Sequence, residues 1–135
     1  LVFSTQSLGT GSLNGDIKEH LLVGGGRTVQ VDVDTLDRQV IEYALPGPDF
    51  VKIDVEGLEF DVLCGMTNTI DQCKPKLYIE MHGLNLEKKI ENARNVVRFL
   101  GEKGYATKHV ESEIHITLAN IEIAQAGHLF CFPIA

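Results

Sequence analysis

Phe50-Val51-Lys52-Ile53-Asp54-Val55-Glu56-Gly57-Leu58-Glu59 decides the fold. Val51, Ile53 and Val55 alternate with Lys52, Asp54 and Glu56, the two-residue period of a strand with one apolar face. Gly57 permits a sharp turn, and Leu58, Val62, Leu63 and Met66 then recur at helical spacing, with Gly65 weakening the end of that helix. The segment reads as a strand that ends on acidic groups and turns directly into a helix.

The same design repeats downstream. After Pro75, Leu77, Ile79 and Met81 alternate with Tyr78, Glu80 and His82. A long helix follows, with Leu86, Ile90, Ala93, Val97 and Leu100 on one stripe and Gly104 as its stop. Upstream, Val29, Val31 and Val33 alternate through Thr28–Asp34 and predict a half-buried strand. A short helix begins at an Asp34 or Thr35 cap, runs through Tyr43, and is stopped by Pro46-Gly47-Pro48. Three closely spaced strands end the chain, over residues 105–110, 114–118 and 128–133.

Strand–helix–strand units favour a parallel sheet with right-handed crossovers, and strands without intervening helices favour an antiparallel edge. The expected class is α/β with a mixed sheet. Residues 4–28, rich in Gly, Ser, Thr and Asn, read as a loop-rich lead-in. The chain opens on Leu1, not Met, directly in the apolar Leu1-Val2-Phe3, and is expected to be a fragment.

The totals bound the function. At 135 residues the chain suits one domain. A net charge of -7 argues against a nonspecific grip on nucleic acid, which needs clustered Lys and Arg. No apolar run reaches the length of a membrane span, and no signal peptide is visible. Cys64, Cys73 and Cys131 form no CxxC pair and read as reduced thiols of a cytoplasmic protein. Gly9-Thr10-Gly11 with Gly15 lacks the flanking strand and helix of a dinucleotide loop. His20, His109, His115 and His128 are scattered without metal-ligand spacing and read as surface residues.

Ligands of open α/β sheets bind at the carboxyl ends of the strands. Asp54 and Glu56 lie at one such end, Glu80 and His82 at another, and Glu59 falls in the first turn of the helix between them. If the two strands are parallel neighbours, carboxylates and an imidazole meet on one rim. Such a rim can bind a hydroxyl, take its proton or hold a divalent cation. The bland alternative is that acidic strand ends cap helices or pair with loop lysines; two sets on consecutive units favour the functional reading.

Residues 50–59 resemble the Lys-Ile-Asp-Val-Glu-Gly-x-Glu segment of the FkbM family of methyltransferases. Val33-Asp34-Thr35-Leu36-Asp37 is similar to that family's Thr-Leu-Asp element, and Val62-Leu63-Cys64-Gly65-Met66 to its Val-Leu-x-Gly-Ala helix. Pro75 through His82 resembles its Pro-x-x-x-x-Glu-x-His strand, and Phe99-Leu100 with Gly104-Tyr105 its Phe-Leu-x-x-x-Gly-Tyr. The resemblance implies a Rossmann-like methyltransferase sheet, S-adenosylmethionine as methyl donor and a small-molecule or sugar hydroxyl as acceptor. It implies catalytic roles for Asp54 and Glu56, and substrate contacts for Glu59, Glu80 and His82. The family's Asp/Glu-x-Gly-x-x-x-Gly cofactor motif has no counterpart, so the N-terminal strands are expected to be missing, cofactor-binding residues stay unassigned and no metal is assigned. The chain then reads as one partial domain, with residues 28–135 carrying the sheet and helices. The alternatives are an inactive Rossmann-like interaction module and a metal-dependent hydrolase using the acidic cluster.

Overall fold

The computed structural model describes residues 2–3, 11–12, 22–23 and 27–134. Gly9, Thr10, Gly15, His20 and the glycines at 24–26, read above as loop, lie outside the described residues. Near the N-terminus β1 (Val2–Phe3), β2 (Gly11–Ser12) and β3 (Arg27–Thr28) form a small antiparallel sheet of order β2-β1-β3. The remaining elements are α1 (Leu36–Glu42), β4 (Phe50–Ile53), α2 (Glu59–Cys64), α3 (Thr67–Cys73), β5 (Lys76–Glu80) and α4 (Leu86–Glu102). Then come β6 (Tyr105–His109), β7 (His115–Ile116), a 3-10 segment (Leu118–Gln125) and β8 (His128–Pro133).

The main sheet has the order β4-β5-β8-β6-β7. β4 and β5 are parallel, with Lys52 opposite Tyr78 and Ile53 opposite Ile79. β8 runs antiparallel to both β5 and β6, and β7 antiparallel to β6. The expected mixed α/β sheet with an antiparallel C-terminal edge is therefore present. The last strand in sequence is inserted between β5 and β6, and β7 forms the edge.

Alternation within the strands sets which side is core. Ile53, Leu77, Ile79, Leu129 and Cys131 point to one face, where Leu63, Met66 and Ile70 from α2 and α3 and Val96, Val97 and Leu100 from α4 close over them. α4 starts under an Asn85 side-chain cap and ends before Gly104, whose φ of 77° suits a residue without Cβ. Tyr105 is buried, its hydroxyl donates to the Pro75 carbonyl at 2.9 Å, and burial pushes its pKa up to about 12.

Three expectations need correction. The strand over Thr28–Asp34 stops at Thr28, and Val29, Val31 and Val33 are exposed. A period-two pattern names the faces a strand would have but does not by itself make the segment a strand. The helix read from Leu58 to Met66 breaks after Cys64: Met66 leaves helical geometry, buries its side chain fully and starts α3, which was not expected. The strand read over 114–118 is only His115–Ile116, because Thr117 caps the 3-10 segment by accepting from the Ala119 N–H.

The Asp37 carboxylate ties α1 to α3. It accepts from the Asn68 and Thr69 N–H groups at 2.9 and 2.8 Å and from the Thr69 hydroxyl at 2.7 Å. Met66, the residue in the cap position of α3, makes no side-chain cap bond, so Asp37 supplies that cap from 31 residues away. Gly65 permits the approach: a Cβ there would stand 3.3 Å from Thr35 Cγ2.

Candidate functional site

The parallel pairing of β4 and β5 brings their carboxyl ends side by side, which meets the condition set for a shared rim. Regular strand stops before Glu56, which takes a φ of 53°, and Gly57 follows at 92°. A left-handed non-glycine residue costs about 1 kcal/mol. This turn, not continued alternation, is what carries Glu56 to the rim.

His82 is the hub. Its Nδ1 lies 2.9 Å from Glu59 Oε1. Its Nε2 faces Glu80 Oε1 at 3.6 Å, Glu56 Oε2 at 3.9 Å and Asp54 Oδ1 at 4.0 Å. The Glu59 hydrogen bond is the main cause that raises the His82 pKa above its ordinary value; the charges of Glu56, Glu59 and Glu80 add to it, and partial burial works against it. Asp54 is held below the usual carboxylate range, first by the Lys52 ammonium that donates to it at 2.8 Å.

The structure thus brings Asp54, Glu56, Glu59, Glu80 and His82 together, but at two depths. Glu59 was expected to touch substrate. It is 0% exposed and sits beneath the rim, where Oε1 accepts from the Gly57 N–H at 3.0 Å and meets His82, and Oε2 accepts from Asn92 at 2.5 Å. Both of its oxygens are turned to protein groups. Asp54, Glu56, Glu80 and His82 keep partly exposed side chains.

Two contributors escaped the sequence reading. His128, read as a surface residue, is paired with Glu80 across the β5–β8 ladder; its Nε2 is 3.6 Å from Glu80 Oε2, its ring lies 5.0 Å from that of Tyr78, and its Nδ1 meets Glu111 Oε1 at 2.6 Å. No local signal announces this, because it depends on which strand lies next to β5. Asn92 did leave a signal. It precedes buried Val96 by four residues, so it shares α4's inward face, where a polar side chain needs a partner.

Beside His82, a polar cavity of about 180 Å³ opens between Gly57, Asp61, Gly83, Lys88, Asn92 and Asn95. On the rim, Asp54, Glu80 and His82 each present one ligating atom within 4.8 Å of the others, a spacing that a divalent cation could bridge. The Lys52 ammonium and the imidazole also stand against these carboxylates.

The strand order, with a parallel β4–β5 pair, an antiparallel strand inserted beside it and a polar rim at the carboxyl ends, defines an α/β domain with its polar groups where open sheets bind ligands. A family model described as the methyltransferase FkbM domain matches residues 3–107, and the chain belongs to that family. At the family level it is a methyltransferase domain. No curated protein matches the chain, and no solved structure matches it. Among the described residues, no helix is long and apolar enough to cross a membrane.

Proposed function

We propose that this protein transfers a methyl group from S-adenosylmethionine to a hydroxyl oxygen of a small molecule or sugar, on the rim around His82. The observation that carries the reading is the convergence of Asp54, Glu56 and Glu80 on His82 Nε2 at two adjacent parallel strand ends, in a chain of this family.

When bound, S-adenosylmethionine supplies an electrophilic methyl group on a positively charged sulfur. The carboxylates of Asp54 and Glu56 suit that charge, and a glycine-rich nucleoside cradle is not among the described residues. Methyl transfer is an in-line displacement, so the main task of the residues is to position the acceptor and take its proton. His82 Nε2 is the proton acceptor of this reading. A proton arriving there meets Asp54, Glu56 and Glu80, whose charges stabilise the imidazolium. Asp54, kept ionised by Lys52, and Glu80 on the neighbouring strand accept hydrogen bonds from other hydroxyls of the acceptor, which leaves the one proton of the reacting hydroxyl to His82 Nε2. Glu59 acts beneath them by fixing His82. The adjoining polar cavity receives the remainder of the acceptor. The free thiols of Cys64, Cys73 and Cys131 suit a reducing, cytoplasmic setting, and the net charge of -7 suits a small-molecule partner and not nucleic acid.

The test is formation of S-adenosylhomocysteine by the full-length protein across a panel of hydroxylated acceptors. Asp54→Asn and His82→Gln are each expected to lower turnover by about 100-fold or more. Unchanged turnover in Asp54→Asn removes that residue from the mechanism. Absence of donor binding by calorimetry points to an inactive module. Hydrolysis that needs Mg²⁺ or Mn²⁺ but no donor replaces methyl transfer altogether.

A further inference from the structure

The cavity beside His82 has a definite hydrogen-bonding character. Lys88, Glu91, Asn92 and Asn95 lie on one stripe of α4, at the three- and four-residue spacing of a single helix face, and all four line it. Asn92 spends its N–H groups inward, on Glu59 Oε2 at 2.5 Å and on the His82 carbonyl at 3.2 Å, so its oxygen is the atom it can offer to a ligand. Asn95 is partly exposed and brings an amide with two donors and an acceptor. From α2, Asp61 adds an acceptor-only carboxylate, and Phe60, edge-on to Phe99 at 6.1 Å, an apolar wall.

Charge and size narrow the ligand further. Asp54, Glu56 and Glu80 on the rim and Asp61 and Glu91 in the cavity outnumber the two ammonium groups, and both of those face carboxylates: Lys52 stands 2.8 Å from Asp54 and Lys88 3.4 Å from Glu91. A phosphate or carboxylate on the acceptor would enter a field of its own sign. At about 180 Å³ the cavity is well under the roughly 300–1,000 Å³ of pockets that enclose drug-sized ligands, so it takes a single ring and no macrocycle.

We propose that the acceptor is a polyhydroxylated ring without an anionic group, one sugar residue in size, seated in this cavity with hydroxyls on Asn92 Oδ1, Asn95 and Asp61 while another hydroxyl of the same ring reaches His82 Nε2. Each ring hydroxyl donates one hydrogen, and the rim and cavity offer chiefly acceptors to receive it. A phenol or catechol would fill the same space with one or two hydroxyls and strip water from Asn95 and Asp61 without replacing it. A pyranose and a cyclitol share the required chemistry. Asn95 is the specificity-determining residue of this subsite, because its amide can both give to and take from a hydroxyl.

The inference rests on methyl transfer at His82, but its first readout is binding and needs no turnover. The full-length protein, with and without S-adenosylhomocysteine, is titrated by calorimetry with methyl glucoside, methyl galactoside, methyl mannoside and myo-inositol, each against a carboxylated or phosphorylated counterpart. At least one uncharged ring is expected to bind about 10-fold or more tighter than its anionic counterpart, and the glycosides against myo-inositol tell sugar from cyclitol. Asn95→Ala, checked for fold by circular dichroism, is expected to weaken that ring by about 3- to 10-fold. Asp61→Lys is expected to narrow or reverse the preference over the anionic ring, a change that a merely structural role would not produce. Failure of every uncharged ring to bind, tighter binding of an anionic ring, or full affinity in Asn95→Ala overturns the proposal. A ring that binds as expected yet is never methylated overturns the reaction and leaves the ligand standing; methylation confined to phenols or macrocycles keeps the reaction and overturns this acceptor.

Discussion

Replacing Glu59 by Gln removes one oxygen from a buried carboxylate and leaves the shape almost unchanged. Its Oε1 accepts from the Gly57 N–H and meets His82 Nδ1; its Oε2 accepts from Asn92. A glutamine must turn its NH₂ to one of these sides. Toward Gly57 and His82, the ring can change tautomer and accept, but the Gly57 N–H cannot. Toward Asn92, the asparagine can rotate, but its oxygen then faces the His82 carbonyl and the bond of 3.2 Å is lost. Every arrangement leaves one donor or acceptor unmatched at about 1–3 kcal/mol, and the charge-assisted character of the remaining bonds is lost as well. The expected destabilisation is about 3 kcal/mol. For a domain of this size, a urea m-value of about 2 kcal/mol/M turns that into a midpoint about 1.5 M lower. Glu80→Gln is the control, because that side chain is 35% exposed on the rim and its change should stay within about 0.5 kcal/mol. Equal urea midpoints for the Glu59 and Glu80 variants would refute the claim that Glu59 is a structural acceptor beneath the site.

Two further outcomes follow from contacts away from the hub. Asp37→Ala takes away three hydrogen bonds at the start of α3 and is expected to cost about 2 kcal/mol in urea unfolding; a loss below about 0.5 kcal/mol would deny Asp37 its capping role. Glu111 is pulled down to about 2 from 4.5, first by the His128 backbone N–H and then by its side chain. A carboxyl whose folded pKa is depressed stabilises the fold above its unfolded value, and that stabilisation is lost as pH falls from 4.5 toward 2. Its side chain is 47% exposed, so solvent screening trims the effect to about 1 kcal/mol. Urea midpoints of the unmodified protein and of Glu111→Gln should therefore differ at pH 7 and converge near pH 2, and a gap of constant size would contradict this.

Much of the site was legible because strand alternation is a local rule. Asp54, Glu80 and His82 were assigned to one rim from their parity with Ile53, Ile79 and Met81, which are buried as that parity requires. Helical spacing likewise exposed α4 before any contact was known. Legibility ended where a residue's role depended on depth or on a distant partner. Glu59 in a first helical turn looks the same in sequence whether it faces solvent or lies fully buried under His82. Asp37 reads as an ordinary helix-start acid, although its partners are Asn68 and Thr69. The valines after Thr28 carried a strand pattern, yet the strand ends at Thr28 and their side chains are exposed.

By itself, the sequence determined the α/β class, the family resemblance and the chemical types gathered at the strand ends, since these follow from periodicities of two and 3.6 residues and from a short motif. Only the tertiary structure decided that β8 enters beside β5, bringing His128 to Glu80, and that α4 lays Asn92 against Glu59. Those pairings join residues 48 and 33 positions apart. They are chosen by how the helices and strands bury one shared core, a property of the packed whole and of no single segment.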